Sequence, residues 1–325
     1  MKKIFITGAG GYVGAMLVKE LLKKKYQVCA YDLFTYGDVF QEHENLEIIK
    51  GDIRDKKLLE KFIPGSKILI HLACISNDPS FELNPNLGKQ INFDAFEPLV
   101  KIAKNNGVER FIYASSSSVY GLKNEQDVTE EASLEPLTDY SKFKAMCEDV
   151  LLKYNDNNFT TTVIRPATVC GYSLRQRFDL VVNILTNNAY NKGKIIVFGG
   201  NQLRPNIHIK DMVNAYIKVI NAEKKIISGK IYNAGFENKT VSDLAIKVQK
   251  ILGKNIEIIY EKTDDNRSYH VSSKKIYKDL SYEPNFTIDD AIQDLYDAFK
   301  KNLFNDPLNN ENYFNIKKLK NLYKN

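Results

Sequence analysis

A tyrosine and a lysine stand four positions apart in the stretch DYSKFKAMCE, as Tyr140 and Lys144. In a helix this spacing places both side chains on one face. An ammonium group lowers the pKa of a neighbouring phenol, because the positive charge stabilises the phenolate. We therefore expect Tyr140 to act as a general acid and base near neutral pH. Because the chain has 19 tyrosines, a Tyr and a Lys at this spacing also occur by chance. The neighbouring sequence therefore decides whether the pair indicates a catalytic site.

Four consecutive serines, Ser115 to Ser118, precede that pair and follow the apolar stretch RFIYA. The apolar stretch is typical of a buried β-strand. Open α/β sheets bind their ligands at the carboxyl ends of the strands. The serine run therefore marks a second candidate for chemistry.

A glycine-rich stretch, ITGAGGYVGAML, follows the first strand-like segment and opens a helical pattern from about residue 12 to 25. Gly8, Gly11 and Gly14 form the spacing G-x-x-G-x-x-G. Such a turn lets the backbone approach a pyrophosphate, and the helix N-terminus then offers free N–H groups to the anion. The position between a strand and a helix indicates a dinucleotide site.

Acidic residues end the next two strand-like segments. Asp32 follows VCAY, where a carboxylate can hydrogen-bond a ribose diol and repel a 2′-phosphate. NAD is therefore favoured over NADP. Asp52 and Ile53, in KGDIRD, follow the third strand and could hold the adenine.

The elements that position these residues alternate between apolar strands and amphipathic helices. The predicted strands are Lys3 to Thr7, Gln27 to Tyr31, Leu46 to Lys50, Lys67 to Leu72, Arg110 to Ala114 and Thr160 to Arg165; predicted helices include residues 92–106 and 140–154. This rhythm predicts an α/β fold with a doubly wound parallel sheet. After Gly171 the rhythm loosens. Beyond Phe304 an Asn- and Lys-rich stretch is interpreted as a peripheral tail.

Composition excludes several classes. The 325 residues are 43% hydrophobic and 26% charged, which is ordinary for a globular protein. The four cysteines are isolated, so we expect no disulfide, no metal site and a cytoplasmic protein. The net charge of +6 comes from scattered lysines, which argues against a nucleic-acid partner. No apolar run is long enough to predict a membrane span.

Together these stretches resemble the extended branch of the short-chain dehydrogenase/reductase superfamily, which contains nucleotide-sugar epimerases, dehydratases and reductases. The resemblance runs through TGAGGYVG, GDIRD, HLA, SSSSVYG, the Tyr140–Lys144 pair, RPATVCG and RPNIHIKDMVNAY. It implies a Rossmann-type NAD-binding domain, residues 1–171 plus about 211–234. A smaller α/β domain, residues 172–210 plus 235–303, would bind the nucleotide sugar, and 304–325 would be the tail.

The resemblance also assigns roles. It implies that Ser116 hydrogen-bonds the reacting sugar oxygen, that Tyr140 moves the proton and that Lys144 binds the nicotinamide ribose. Ser115, Ser117 and Ser118 would then be structural. The remaining implied cofactor residues are Tyr12, Val13, Leu72, Ala73 and Asn92, and the implied substrate residues are Thr168, Arg175, Arg177, Arg204 and Arg267. His71 lies in an apolar strand and is interpreted as a core histidine.

Several activities remain open within the family. Its 4,6-dehydratases carry Asp and Glu after the catalytic hydroxyl, where this chain has Ser117 and Ser118. Serine is too weak an acid for water elimination, so dehydratase is disfavoured. The resemblance favours a 4-epimerase, with a one-way 4-dehydrogenase or 4-ketoreductase as the alternative. A protein that only binds NAD is disfavoured by the complete set of Ser116, Tyr140 and Lys144.

Two further expectations come from the resemblance alone. The stretch GYSLRQRFDLVVN is similar to a subgroup of sugar enzymes in surface-polysaccharide pathways. Family members dimerise through the helices predicted at 92–106 and 140–154, so a homodimer is expected.

Overall fold

A computed structural model describes residues 2–123, 125, 127–253, 255–263 and 270–323 of the chain. Its strands are β1 (Lys3–Thr7), β2 (Gln27–Asp32), β3 (Leu46–Lys50), β4 (Ser66–His71), β5 (Arg110–Ala114), β6 (Thr160–Pro166), β7 (Thr168–Cys170), β8 (Lys194–Phe198), β9 (Leu203–His208), β10 (Lys230–Ala234), β11 (Glu237–Thr240) and β12 (Glu257–Glu261).

The α-helices are α1 (Tyr12–Lys23), α2 (Lys56–Phe62), α3 (Asp78–Phe81), α4 (Pro85–Lys89), α5 (Phe96–Asn105), α6 (Asp139–Lys153), α7 (Val181–Lys192), α8 (Ile209–Asn221), α9 (Lys224–Ile227), α10 (Val241–Leu252), α11 (Lys274–Leu280), α12 (Ile288–Lys300) and α13 (Asn315–Leu322). A π-helical turn covers Gln90–Asp94, and 3₁₀ turns cover Ser117–Tyr120 and Glu311–Tyr313. None of the described helices is both long and apolar enough to cross a membrane.

The central sheet of the described chain has seven strands in the order β10-β6-β5-β4-β1-β2-β3. Every neighbouring pair in it is parallel. Successive residues of β1 alternate between two cores: Ile4 and Ile6 pack on one side, and Phe5 packs on the other. Helices therefore cover both faces, as parallel sheets require. The predicted doubly wound α/β fold is confirmed.

The sheet order places a ligand crevice over the central strands. β1 lies between β2 and β4, and the chain crosses to β5 and β6 on the far side of β4. The carboxyl ends of these strands share one edge, so the loops after β1, β2, β4 and β5 converge there.

A second body of structure follows β6. In the described chain, β7, β9 and β11 form a small sheet, and β8 pairs with β12. Helices α7 and α10 pack on β8, and α12 packs on both helices, in a separate apolar core. In sequence, α8 and β10 lie between β9 and β11, but they pack with the central sheet. There β10 forms the edge strand beside β6.

The six predicted strands occur within one residue of their predicted bounds. The predicted helix at 92–106 begins differently, because a π-helical turn at Gln90–Asp94 precedes α5. Such turns occur frequently at functional sites. The segment after Phe304 also differs from a peripheral tail: it forms α13, in which Asn315 and Leu319 are buried.

Candidate active site

A cavity of about 840 Å³ lies along the carboxyl ends of the central strands and extends to β9. Most of the predicted site residues line it: Gly8, Gly11, Tyr12, Val13, Gly14, Asp32, Asp52, Ile53, Leu72, Ala73, Ser116, Tyr140, Thr168, Arg175, Arg177 and Arg204. Asn92 and Lys144 lie outside its lining. Arg267 lies outside the described residues.

The glycine-rich turn is built by close backbone contacts. Gly8 has a φ of +74°, and a Cβ on it would lie 2.5 Å from the backbone nitrogen of Ala73. A Cβ on Gly14 would lie 2.2 Å from the carbonyl oxygen of Gly8. Helix α1 starts from Gly11, and among the described residues no side chain caps its N-terminus. The first N–H groups of α1 therefore face the cavity edge, as a pyrophosphate needs.

Asp32 holds this turn to the loop after β2. One carboxylate oxygen accepts from the backbone N–H of Gly10 at 3.0 Å, and the other accepts from that of Phe34 at 2.7 Å. Burial raises the pKa of Asp32, while these hydrogen bonds and the charge of Arg175 oppose the rise. A carboxylate oxygen can accept more than one hydrogen bond, so acceptor sites remain for a ribose diol.

The residues after β3 are fixed by an ion pair. Arg54 contacts the carboxylate of Asp52 at 2.6 Å and lowers its pKa. The hydroxyl of Tyr31 donates to the carbonyl oxygen of Asp52 at 2.6 Å. Ile53 is buried beside them. This corner of the cavity is therefore rigid, with an apolar side chain next to a carboxylate.

The four serines are not equivalent in the structure. Ser116 caps the 3₁₀ turn: its Oγ accepts from the backbone N–H of Ser118 at 3.1 Å and lies 2.8 Å from the Oγ of Ser118. Ser115 turns away from Ser116, and its hydroxyl donates to the buried carboxylate of Glu148. Ser117 is buried at the start of the turn. The hydroxyls of Ser116 and Ser118 form a pair at the cavity wall.

Helix α6 brings Tyr140 and Lys144 to the end of β5. Tyr140 and Ser116 line the same cavity, and the interaction with Ser116 opposes the rise in the pKa of the Tyr140 phenol. The Lys144 ammonium donates to the carbonyl oxygen of Ala114 at 2.6 Å and lies 5.9 Å from the ring centroid of Tyr140. The structure thus brings the predicted triad of Ser116, Tyr140 and Lys144 together.

The pKa of Tyr140 differs from the sequence-based expectation. Burial raises it well above its usual value, and the nearby Cys74 and Asp78 raise it further. Arg177 and the hydrogen bond to Ser116 oppose this rise. The loss of water around the phenol therefore dominates its pKa in the chain itself.

Two predicted residues act behind the cavity wall. The side-chain amide of Asn92, in the π-helical turn, bonds both backbone groups of Ile75, at 2.8 and 3.0 Å. It thereby fixes the loop after β4 from behind. His71 ends β4, and its Nδ1 lies 2.7 Å from the hydroxyl of Thr7. Burial lowers the pKa of His71 to about 3, which keeps it a neutral core residue as expected.

Arg175 and Arg177 are neighbours on the cavity wall, joined through Asn315 and Ser76. The guanidinium of Arg175 stacks 3.8 Å from the ring centroid of Tyr36. Its positive charge opposes the rise that burial causes in the pKa of Asp32. Arg177 forms an ion pair with Asp179 at 2.6 Å. Its positive charge also opposes the rise in the pKa of Tyr140. Arg175 therefore faces the Asp32 end of the cavity, and Arg177 faces the Tyr140 end.

Both guanidinium groups keep a buried N–H group without a partner. Nε of Arg175 and Nη2 of Arg177 have no hydrogen-bond partner among the described residues. Buried cationic donors of this kind call for an anion. The donor set therefore fits the phosphates of a dinucleotide and of a nucleotide sugar.

The remaining predicted residues have mixed roles. Thr168 begins β7, and Arg204 lies in β9; both line the cavity away from the glycine turn. The Tyr12 hydroxyl donates to the carbonyl oxygen of Gly171 at 2.6 Å and accepts from the amide of Asn183 at 3.0 Å. Tyr12 thus uses its polar group to join α1 to the segment after β7.

The sequence analysis did not identify Ser76, Tyr36 or Asn315, which lie directly on the cavity. Ser76 accepts from Arg177 Nη1 at 3.1 Å, and Asn315 accepts from Arg175 Nη2 at 2.5 Å. The amphipathic pattern of FNIKKLKNL was the available signal for Asn315. Nothing in the sequence shows which surface that helix covers.

Comparisons with known proteins agree with this geometry. The sequence profile of the NAD dependent epimerase/dehydratase family matches residues 4–235. A UDP-glucose 4-epimerase of Lactobacillus helveticus is 24% identical over 317 residues, which cover 89% of this chain and 94% of that protein. A low-salt glycan biosynthesis protein of Haloferax volcanii is 24% identical over 309 residues, which cover 91% and 98%.

A solved structure gives the same architecture. The UDP-glucuronic acid 4-epimerase from Bacillus cereus, in complex with UDP-glucuronic acid and NAD, is 26% identical. It superposes with a TM-score of 0.83 over 93% of this chain and 100% of that one. The chain therefore belongs to the NAD-dependent epimerase/dehydratase family and is an NAD-dependent enzyme of nucleotide sugars.

Proposed function

We propose that the chain is a nucleotide-sugar 4-epimerase of surface-polysaccharide biosynthesis. The arrangement of Ser116, Tyr140 and Lys144 at the end of β5 carries this proposal. Ser116 binds the oxygen on carbon 4 of the hexose. Tyr140 accepts the proton of that hydroxyl, and Lys144 binds the nicotinamide ribose.

Bound NAD would supply the redox chemistry, as the acceptor and then the donor of the hydride at carbon 4. Tyr140 gives its proton back to the sugar oxygen in the second half. Protons and electrons therefore balance without a further reactant. The chain's own contribution is to hold the hydroxyl at Ser116 and Tyr140 and to keep water away from the 4-keto sugar.

The binding residues divide between the two ligands. We assign Gly8, Gly11 and Gly14 to the NAD pyrophosphate, Asp32 to its adenosine ribose and Asp52 with Ile53 to its adenine. Arg204 and Thr168 belong with the nucleotide sugar, and so does Arg177, because it reaches Tyr140. Arg175 lies beside Asp32 and Tyr36, which supports a place near the cofactor instead of the sugar.

The domain assignment follows from these roles. Residues 1–171 with 211–234 would bind NAD, and residues 172–210 with 235–303 would bind the nucleotide sugar. Cys29, Cys74, Cys147 and Cys170 are free thiols, which suits a reducing cytoplasm. Met146 on α6 is an exposed apolar side chain, which suits the homodimer expected from the family.

The competing activities differ at a few residues. Ser117 and Ser118 line the cavity where a 4,6-dehydratase of the family would hold its acid and base. A one-way 4-dehydrogenase or 4-ketoreductase would use the same triad as an epimerase. A protein that only binds NAD would have no use for a buried Tyr140 against Ser116.

A substrate panel tests the proposal. The protein is incubated with UDP- and GDP-linked hexoses and hexuronic acids, and NMR reads the configuration at carbon 4 while absorbance follows NADH. We expect inversion at carbon 4 without accumulation of free NADH. Stoichiometric NADH or a dehydrated product would contradict an epimerase, and no turnover across the panel would contradict the proposal as a whole.

A further inference from the structure

The C-terminal segment from Phe304 to Tyr323 packs onto the active-site cavity. Its helix α13 supplies Asn315, Leu319 and Leu322 to the cavity lining, and Tyr323 follows directly after the helix. Asn315 is 3% exposed and Leu319 is 7% exposed, although both lie near the end of the chain. A helix of mostly polar composition buries such residues only where it covers something.

Asn315 makes three hydrogen bonds to the cavity wall. Its Oδ1 accepts from Arg175 Nη2 at 2.5 Å, and its Nδ2 donates to the hydroxyl of Ser76 at 2.9 Å. Its backbone N–H donates to the carboxylate of Asp179 at 2.9 Å. Since Arg177 also bonds Ser76 and Asp179, Asn315 closes a ring of polar side chains. We call this ring the clasp.

Apolar contacts hold the segment on both sides of the clasp. Before it, Phe314 packs in a buried aromatic cluster around Phe178. After it, Leu319 packs against Ile75, Phe81 and Tyr140, and Tyr323 joins the edge of the same cluster. The segment therefore reaches from the substrate side of the cavity to the catalytic tyrosine.

The sheet order shows what the segment crosses. The loop after β2 contains Gly37, and a Cβ on Gly37 would lie 3.9 Å from the side-chain amide of Asn312 in the segment. Ser76 and Ile75 follow β4. Because β1 lies between β2 and β4, a segment in contact with both loops passes over the carboxyl end of β1. The glycine-rich turn, where a pyrophosphate would bind, lies at that end.

We propose that residues 304–323 form the outer wall of the NAD site and that Asn315 is the positioning residue that keeps this wall closed. The bound dinucleotide then lies between the glycine-rich turn and α13. It can leave only after the three bonds of Asn315 break. The wall thereby keeps NADH on the enzyme between the two hydride transfers.

This inference deepens the proposed epimerisation and rests on it for its purpose. An epimerase must retain the NADH that it forms, whereas a one-way dehydrogenase must release it. The test below uses no sugar, so the two proposals can fail separately. A chain that retains NAD but leaves carbon 4 unchanged refutes the proposed function alone.

The experiment measures how fast the dinucleotide leaves. The full chain is loaded with NADH, diluted into excess NAD, and followed by the fluorescence of bound NADH. NAD content after gel filtration is measured in parallel. In Asn315→Leu the clasp loses its hydrogen bonds to a buried guanidinium and a hydroxyl, so release should be about tenfold faster than in the wild type.

Two further variants complete the test. A chain ending at Phe314 removes α13 but keeps the aromatic cluster, and it should release NADH at least as fast as Asn315→Leu. Lys320→Ala, an exposed residue of the same helix, should release at the wild-type rate. Circular dichroism checks that each variant folds. If the shortened chain does not fold, the release rate of Asn315→Leu decides the test. Wild-type release rates in Asn315→Leu, or equal acceleration in Lys320→Ala, would overturn the proposal.

Discussion

Tyr140 combines a buried phenol with four polar neighbours, which shift its pKa in different directions. Burial, Cys74 and Asp78 raise its pKa, while Arg177 and Ser116 lower it. The phenol therefore stays protonated in the chain itself, and it is ready to donate to a 4-keto sugar. Its work as a base needs the positive charge that an oxidised nicotinamide brings to the same site.

Removing that hydroxyl should stop the chemistry and leave binding intact. In Tyr140→Phe we expect turnover of the best nucleotide sugar from the panel to fall by at least about 100-fold. NAD content after purification should stay at the wild-type level, because phenylalanine keeps the buried ring. Tyr190→Phe, at an exposed tyrosine far from the triad in sequence, serves as the control. Undiminished turnover in Tyr140→Phe would refute the assigned mechanism.

The buried His71 should make the free energy of unfolding fall as the pH is lowered. Burial lowers its pKa to about 3 in the folded chain, against about 6.5 in an unfolded one. The unfolded state therefore binds the proton first as the pH falls, and the folded state loses up to about 1.4 kcal/mol per pH unit between those values.

Urea denaturation at pH 7, 6, 5 and 4 measures this loss. The stability of His71→Gln should fall less steeply over the same range, by about one bound proton. Identical slopes in the two proteins would contradict a neutral, buried His71.

At the scale of elements, helix α6 presents a stripe of buried polar residues to the strand ends. Tyr140 meets Ser116, Lys144 meets the end of β5, and Glu148 meets both Ser115 and Arg165. The pair of Glu148 and Arg165 is buried, with 2.6 Å between the two side chains. This pair fixes the helix against β5 and β6, and so sets the distance between Tyr140 and Ser116.

Breaking that pair should be costly. Glu148→Gln leaves an uncompensated buried guanidinium, so the free energy of unfolding should drop by about 3–5 kcal/mol. Lys142→Ala, on the exposed face of α6, should change it by less than about 0.5 kcal/mol. Urea denaturation of both variants checks this, and equal stabilities would show that the pair does not anchor α6.

Most of this arrangement follows from local sequence. Strand and helix patterns predict the central sheet, and the glycine spacing and Tyr140 with Lys144 predict its site, because each signal lies within a few residues. The clasp could not be predicted, since Asn315 and Ser76 meet across 239 positions of sequence. The pKa of Tyr140 was also predicted wrongly. The burial of its side chain depends on tertiary packing, which the spacing of Tyr140 and Lys144 in the sequence does not reveal.

At the scale of the whole molecule, distant parts of the chain line one cavity. The loops after β1 and β5 supply the glycine turn and Ser116, α6 supplies Tyr140, β7 and β9 supply Thr168 and Arg204, and α13 lines the same cavity. Each part comes from a different stretch of the chain. Closure around the ligands is therefore a property of the whole fold and not of one motif.

The expected homodimer depends on the outer face of α6. Met146 is 43% exposed there, and Phe143 beside it stacks on Phe93 at 5.3 Å. Met146→Lys should shift the mass measured by light scattering from dimer to monomer, because a buried unpaired charge opposes association. Ile246→Lys, at a residue of α10 that is 51% exposed, should leave the mass unchanged. A monomeric wild type would refute the dimer.

The most direct test of the central claim follows deuterium placed on carbon 4 of the nucleotide hexose that the enzyme turns over. Retained NADH must return the same hydride that it took. The account predicts a product inverted at carbon 4 that still carries the deuterium on carbon 4. Deuterium in NADH free in solution, or on carbon 6 of a dehydrated sugar, would contradict it.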